Sequence, residues 1–507
     1  MPQSLLLTGA TGLLGRYLLR DLLAAGRRVG VLIRGDHQRS AAERLDELLA
    51  FASESLGHQL PCPTLLEGDL RAPGLGLGTA ERSWLGREAE TVIHAAAYVA
   101  YHPAPEGEPW ETNVNGTYRL LDLCRSLGVT EVHHVSTAFL CGDRRGTVYE
   151  HELDIGEGSG NAYEQSKFAA EQSLHDFAGI RATIYRPSII VGDSRTGYTS
   201  TYHHFYRFLE LAVRLFGRTG VSPVGPKARA RRLTLRLPLS GNERQNVVPV
   251  DWVSRALIEL VGQPRWHGQT YHLVNPRSVP IREATAITEE LLQFEGIQWV
   301  GEKGLPDPTS VEQMVLEQFQ DYWSYLRNDV TFDCRNTLEA LPKLPPPAFD
   351  RELVARLLHF AQNDGWGRER AHSSAERGTE LAHFLEQILP ARMRRSRLAE
   401  ALPPGLVFAL DVAGADGGRW TCRCGDRTLN VRRGATVEAI ATYRMDAAIL
   451  DNLIHGRQTA QQAFLEGHIH IDGDMEKALK LAMLIEAFLA EIAERPPQSR
   501  EELHAAA

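Results

Sequence analysis

Short apolar runs alternate with amphipathic stretches through the first half of the chain. Leu5-Leu6-Leu7 predicts a buried strand, and Leu13 to Ala25 repeats apolar residues at helical spacing until Gly26 closes the turn. Further apolar runs follow at Arg28 to Ile33, Thr64 to Leu66, Thr91 to Ala97 and Glu131 to Val135. Strands alternating with helical stretches predict an α/β, Rossmann-type doubly wound parallel sheet. From Tyr202 to Phe216 the pattern is apolar nearly all round, so that helix is either buried core or a lid over something greasy. Residues 362–380 are polar and carry glycine and serine, as a linker does. Beyond them come a helix over Leu381 to Met393 and strand patterns at 406–412, 419–424, 429–432 and 436–443, read as antiparallel. A helical pair over Asp446 to Leu465, a strand at His468 to Ile471 and a final helix with Ala478, Leu481, Ile485, Phe488 and Ile492 on one stripe complete the pattern. The expected organisation is an α/β domain over 1–361, with a small subdomain near 195–245 and 276–361. The linker, an α+β domain over 381–495 and a flexible tail at 496–507 follow.

At 507 residues the chain exceeds what one core usually serves, which agrees with that division. A net charge of −9 argues against general nucleic-acid binding. The six cysteines form no C-x-x-C, so a reducing compartment fits and no metal site is expected. Cys422 and Cys424 lie two apart in a strand pattern and share one face. His468 and His470 do likewise, and a solvated strand face is the favoured reading of that pair over metal binding. No apolar run approaches the ~18 residues of a spanning helix, and no basic leader precedes Ser4. A cytoplasmic location is expected, with peripheral membrane contact left open.

Gly9, Gly12 and Gly15 stand between the first strand and the first helix, where bare backbone and a helix N-terminus suit a pyrophosphate. The second strand ends at Arg34, 19 residues after Gly15, where NAD-selective sites carry an acid. An arginine fork suits a 2′-phosphate instead, so NADPH is expected over NADH. Asp69 is placed to receive the adenine amine, and the small Ala95, Ala96 and Ala97 would let the cofactor lie against backbone. Tyr163 and Lys167 are one helical turn apart. A neighbouring ammonium lowers a phenol's pKa, and such a tyrosine can exchange a proton with a carbonyl oxygen while hydride reaches carbon. Thr137 and Ser136 end a strand on the side where open α/β sheets bind ligands.

These residues resemble the extended short-chain dehydrogenase/reductase superfamily. The motifs are T-G-A-T-G-L-L-G (8–15), G-D-L (68–70), H-A-A-A (94–97), N-V-N-G-T (113–117), V-S-T-A-F (135–139), Y-E-Q-S-K (163–167) and R-P-S-I-I-V-G (186–192). The resemblance implies Tyr163 as acid/base, Lys167 as its electrostatic partner and ribose ligand, and Thr137 as the oxygen-binding hydroxyl, with Ser136 second. It implies Asn113 as the structural asparagine. Gly9, Thr11, Gly12, Leu13, Leu14, Gly15, Leu70, Pro187 and Ser188 would join Arg34, Asp69 and the alanines around the cofactor. The forms L-I-R-G (32–35), N-V-V-P-V-D-W-V (246–253), V-T-F-D-C-R-N-T (330–337) and A-F-D-R-E-L-V-A-R-L-L (348–358) resemble the fatty acyl-CoA reductase and thioester reductase branch. Between Thr137 and Tyr163 the chain is shorter than in many fatty acyl-CoA reductases.

The C-terminal part resembles the SCP2 sterol-carrier domain through D-G-G-R-W (416–420), Q-Q-A-F-L-E-G-H-I-H-I-D-G-D (461–474) and M-E-K-A-L-K-L (475–481). A small sheet covered by helices around an apolar tunnel is implied. Lys227, Arg229, Arg231, Arg232 and Arg236 are read either as a solvated loop, or as a holder of coenzyme A or carrier phosphates or a contact for an anionic membrane surface. The leading expectation is NADPH-dependent reduction of a lipophilic acyl thioester. The alternatives are oxidoreduction of a sterol-like or long-chain ketone, and a lipid carrier with a regulatory nucleotide domain.

Overall fold

The computed structural model describes residues 4–36, 39–142, 144–153, 160–216, 234–301, 304–327, 329–367, 381–382, 384–393, 396, 400–414, 417–434, 438–454 and 456–493. They fall into two compact units that are not serial in sequence. One comprises 1–209, 239–293 and 321–368, the other 210–238, 294–320 and 369–507.

The first unit is built on seven parallel strands. β1 (Ser4–Thr8), β2 (Arg28–Ile33), β3 (Thr64–Glu67), β4 (Ala89–His94), β5 (Glu131–Val135), β6 (Arg181–Pro187) and β7 (Thr270–Leu273) stand in the order β7-β6-β5-β4-β1-β2-β3. Every neighbouring pair is parallel. The order reverses at β1, the switch point where such sheets leave a crevice. Leu5, Leu6 and Leu7 are fully buried because helices cover both faces. α1 (Leu13–Ala24) and α2 (Ala41–Leu56) pack Leu18, Leu19, Leu22, Leu45 and Leu48 against one face, and α3 (Thr79–Glu88) and α4 (Gly116–Ser126) place Leu85, Leu120 and Leu121 in the cluster on the other. The apolar run expected to reach Ala97 leaves the sheet at His94, and Ala95 to Ala97 form the loop beyond it.

α5 (Ala162–Asp176) follows, capped by Asn161 accepting from the Glu164 amide at 3.0 Å. The strand 330–332 pairs in parallel with 146–148, and Glu150 accepts from the amides of His272 and Asn336. α6 (Phe205–Phe216) buries Tyr206 and Leu209 against Leu353, Val354 and Leu357, so its first turns behave as core rather than as a lid. These leucines and valine lie on α7 (Arg351–Asn363), which takes in the first two residues of the expected linker. Residues 368–380 lie outside the described ones.

The second unit carries a five-stranded sheet. β8 (Val407–Ala413), β9 (Gly418–Gly425), β10 (Thr428–Arg433), β11 (Ala441–Asp446) and β12 (Ile469–Gly473) are ordered β10-β9-β8-β11-β12. The all-antiparallel expectation fails at one pair, since β8 and β11 are parallel. The chain must cross over to enter β11 beside β8, and pattern alone does not reveal that crossover. β11 begins at Ala441 rather than at 436, and residues 435–437 are outside the described ones. Cys422 and Cys424 are buried free thiols on one face of β9, as expected. His470 is exposed between buried Ile469 and Ile471, while His468 precedes the strand beside Glu466. α8 (Ser310–Gln318) packs in this unit against α9 (Met475–Ala493), whose Ala478, Leu481 and Phe488 are buried.

Candidate active site

The loop between β1 and α1 is shaped by two glycines of the three. Gly9 has φ +75°, and a Cβ there would lie 2.5 Å from the Ala96 nitrogen. A Cβ on Gly15 would lie 1.9 Å from the Gly9 carbonyl oxygen. Gly12 is different: it is exposed, and a side-chain carbon would meet only the Gly9 oxygen at 3.5 Å. No side chain caps the helix that starts at Leu13, so the amides of its first turn are left for an outside acceptor.

This loop borders a cleft with about 890 Å³ of atom-free space, counted out to bulk solvent. Gly9, Thr11, Gly12, Arg34, Asp69 and Leu70 line it, together with Ala95, Ala96 and Ala97. Thr8, Arg44, Tyr98 and Thr112 join them, unforeseen in the sequence. Arg44 donates to the Arg34 carbonyl at 2.8 Å, so two guanidinium side chains border the same cleft. Arg34 also reaches Asp69 at 3.2 Å. Burial raises the Asp69 pKa, but hydrogen bonds from Arg71 and Arg34 outweigh it and hold the carboxyl below its usual range. A bare-backbone cradle, open helix amides and a cationic end fit a phosphorylated dinucleotide. Leu13, Leu14 and Gly15 are not part of this lining: Leu14 packs into the core, and Gly15 acts through loop closure.

Asn113 sits in a π-helical turn (Glu111–Asn115) and is buried. Its side-chain Oδ1 accepts from the Tyr98 amide at 2.7 Å, and its Nδ2 donates to the Tyr98 carbonyl and to the Ser166 hydroxyl, both at 2.9 Å. It thus ties the cofactor-side loop to α5. Behind it runs a chain whose polarity fixes a tautomer. The Ala96 amide donates to the Thr8 hydroxyl, which lies 2.7 Å from His94 Nδ1, while His94 Nε2 lies 2.9 Å from the Thr117 hydroxyl. Thr117 in turn donates to the Asn113 carbonyl at 2.6 Å. Since Thr117 spends its proton there, His94 donates from Nε2 and accepts at Nδ1. Burial first and Lys167 second push the His94 pKa down to about 3, so the ring is neutral.

Lys167 is fully buried; burial pushes its pKa down to about 8 against the opposing pull of Glu171. Its ammonium donates to the Val135 carbonyl at 2.6 Å and lies 3.4 Å from His134 Nε2. The expected lowering of the Tyr163 pKa is not found. Burial and then the Glu164 charge raise it above the ordinary phenol value. The helical turn does bring Tyr163 and Lys167 to one helix, but the ammonium is directed to β5 rather than to the phenol.

Thr137 is buried just beyond β5, and its hydroxyl accepts from the Phe139 amide at 3.3 Å. Ser136 is buried as well, its hydroxyl without a hydrogen-bond partner among the described residues, and Glu171 pairs with the buried Arg186. Pro187 accepts from the Ala138 amide at 2.9 Å, and the buried Ser188 hydroxyl has no partner among the described residues.

An aromatic group adjoins this end of the sheet. Phe139, Tyr325, Tyr101, His204 and Tyr322 contact one another with ring centroids 5.2–5.8 Å apart. Asn161, the cap of α5, donates to the Tyr325 hydroxyl at 2.6 Å. Of the basic run, Lys227, Arg229, Arg231 and Arg232 lie outside the described residues. Arg236 is committed to Glu312 at 2.7 Å rather than free for a phosphate. At the other end of β5, Glu131, His133 and His267 bring ligating atoms within 4.8 Å of one another, the one such cluster among the described residues.

Residues 7–257 match the family described as Male sterility protein, an NAD-binding domain, and residues 385–486 match the SCP-2 sterol transfer family. The chain carries an NAD-binding domain of the reductase type followed by an SCP2-type domain. The reductase-type part is 30% identical over 281 residues to a nonribosomal peptide synthetase of Aspergillus flavus, covering 53% of this chain and 26% of that one. A carboxylic acid reductase of Segniliparus rugosus is 26% identical over 387 residues, covering 71% and 29%. The chain therefore spans under a third of either relative's length. Among solved structures, the terminal R domain from the myxalamid biosynthetic pathway aligns with TM-score 0.58 and 26% identity, covering 72% of this chain and 92% of that one. A thiolation-reductase di-domain from an archaeal non-ribosomal peptide synthetase shares the fold, with TM-score 0.54 and 17% identity. Among the described residues, no helix is long and apolar enough to cross a membrane.

Proposed function

We propose that the protein is an NADPH-dependent reductase of a lipophilic acyl thioester, giving an aldehyde and a free thiol. The observation that carries this reading is the arrangement around β5. Thr137 lies just beyond the strand, Lys167 is bound to its last carbonyl, and Asn113 joins the Tyr163 helix to the lining of the cofactor cleft. The nicotinamide, when bound, supplies hydride to the carbonyl carbon. Thr137 and Tyr163 donate hydrogen bonds to the carbonyl oxygen as charge develops on it. Tyr163 supplies the proton; the carbon–sulfur bond breaks, the sulfur leaves as thiol, and the carbonyl re-forms as aldehyde. Lys167 is the positive charge behind that transfer, and Arg34 with Arg44 would hold the 2′-phosphate.

The relatives named above support a carrier-bound or carboxylic-acid-derived substrate over a ketone, and the SCP2 domain supports a lipophilic one. The test is NADPH oxidation by the purified protein with long-chain acyl-CoA or acyl-pantetheine, against long-chain and steroidal ketones. Turnover of the thioesters with release of free thiol is expected. Turnover of ketones alone would assign the chain to keto/hydroxy oxidoreduction.

A further inference from the structure

At the end of β5 away from Thr137, three side chains from two distant stretches converge. Glu131 and His133 stand two apart on the strand and so point to one face, while His134 between them faces Lys167 on the other. The third, His267, precedes β7, the edge strand of the sheet. One ligating atom from each residue lies within 4.8 Å of the other two.

Hydrogen bonds decide which nitrogen each ring presents. His267 Nε2 lies 3.2 Å from the carbonyls of both Leu260 and Val261, so it carries the proton and Nδ1 keeps a lone pair. That lone pair is turned toward Glu131 Oε1 at 3.2 Å. Two electron-rich atoms face each other there, an arrangement that only a positive charge between them makes favourable. His133 is fully buried; its Nδ1 lies 2.8 Å from the Tyr185 hydroxyl, and its Nε2 has no hydrogen-bond partner among the described residues. Glu131 Oε1 likewise has none. A proton shared by His267 and Glu131 would still leave His133 Nε2 bare, whereas a metal ion serves all three atoms. Arg181, the first residue of β6, approaches the other carboxylate oxygen, Oε2, at 3.8 Å and donates to the Pro264 and His267 carbonyls at 3.2 and 3.0 Å. It leaves Oε1 to the cluster and fixes the turn that carries His267.

We propose that Glu131, His133 and His267 form a divalent metal site of the zinc class, which pins the edge strand β7 to β5 across β6. Two imidazoles and one carboxylate suit Zn²⁺ better than Mg²⁺ or Ca²⁺, and three protein ligands leave one position for water. Each ring already has the outer partner a ligating histidine requires. The Tyr185 oxygen accepts from His133 Nδ1, and the carbonyls of Leu260 and Val261 accept from His267 Nε2. The site stands at the end of the sheet opposite Thr137, so the ion holds strands together and takes no part in the reaction.

The test uses the full chain, purified without a histidine tag, stripped with a chelator and titrated with Zn²⁺ and in parallel with Co²⁺. Saturable Zn²⁺ binding is expected, with a rise in Tm of about 3 °C or more at saturation. Co²⁺ should give the visible d–d absorption of nitrogen and oxygen ligands without a thiolate charge-transfer band. Glu131→Gln and His267→Gln are each expected to weaken Zn²⁺ by about ten-fold or more, with NADPH binding unchanged as the report on folding. If either variant fails to fold, the wild-type Co²⁺ spectrum and the Tm rise decide alone. Equal Zn²⁺ affinity in both folded variants, a thiolate band with Co²⁺, or metal binding without stabilisation would overturn the site. Those results would leave an adventitious ion only, and an ion pair between Glu131 and His267. No substrate turns over in this assay, so failure of the reductase reading would leave its result standing.

Discussion

The Lys167 ammonium donates to the Val135 carbonyl at 2.6 Å, joining the helix of the candidate acid/base to the strand that ends beside Thr137. The cation is thereby fixed relative to both hydroxyl groups proposed to meet the reacting oxygen. Its charge is held by geometry that a four-residue spacing does not specify.

Tyr163→Phe removes the proposed proton donor and little volume. It is expected to lower kcat by about 10²–10⁴-fold while leaving NADPH affinity within about two-fold. Single-turnover NADPH oxidation with a separate binding titration checks both, and full activity in the variant would remove Tyr163 from the mechanism.

Lys167 gives a signed dependence of stability on pH. Burial pushes its pKa down to about 8 in the folded chain from the ordinary 10.5. Between those values the unfolded state binds more protons, so this residue makes stability rise as pH climbs through that window. Subtracting the Lys167→Met denaturation series from wild type at pH 7.5, 8.5 and 9.5 should isolate the rise. A flat difference would mean the ammonium is not desolvated.

The glycine loop separates folding from binding. Gly15→Ala forces a Cβ to 1.9 Å from the Gly9 oxygen and is expected to give an unstable or insoluble protein. Gly12→Ala meets nothing closer than 3.5 Å and should keep its Tm within a few degrees, yet weaken NADPH at least ten-fold. Thermal melts with and without NADPH distinguish the two, and equal behaviour would place both glycines in one role.

Arg34 and Arg44 should act on the same phosphate. Arg34→Ala and Arg44→Ala are each expected to reduce kcat/KM for NADPH by about 10-fold or more, the cost of losing one charge-assisted hydrogen bond of roughly 1.5–3 kcal/mol. NADH, lacking the phosphate, should change less than three-fold. An equal loss with both nucleotides would shift the two arginines to structural support of the cleft.

What the sequence made legible was the placement of residues in a fixed local frame: the Gly9–Gly15 loop, Arg34 just after β2, Asn113, and Thr137 just beyond β5. Arg44 escaped because nothing but the fold of the loop after Arg34 brings it to the cleft. The His94 chain escaped because Thr8 and Thr117 meet it across 86 and 23 residues. Tyr325 and His204 were hidden for the same reason, arriving beside Phe139 from distant stretches. The parallel β8–β11 pair was missed because alternation within a strand carries no information about its neighbour's direction.

The non-serial make-up of the second unit also orders events during synthesis. The described residues within 210–238 and 294–320 belong to the same unit as chain that runs on to α9, ending at 493. At translation rates of about 5–20 residues per second, α8 waits roughly 9–35 s on the ribosome before the helix it packs against is complete. The buried faces of Val311 and Met314 are bare during that interval, so nascent chains stalled before residue 475 should be clients for chaperones.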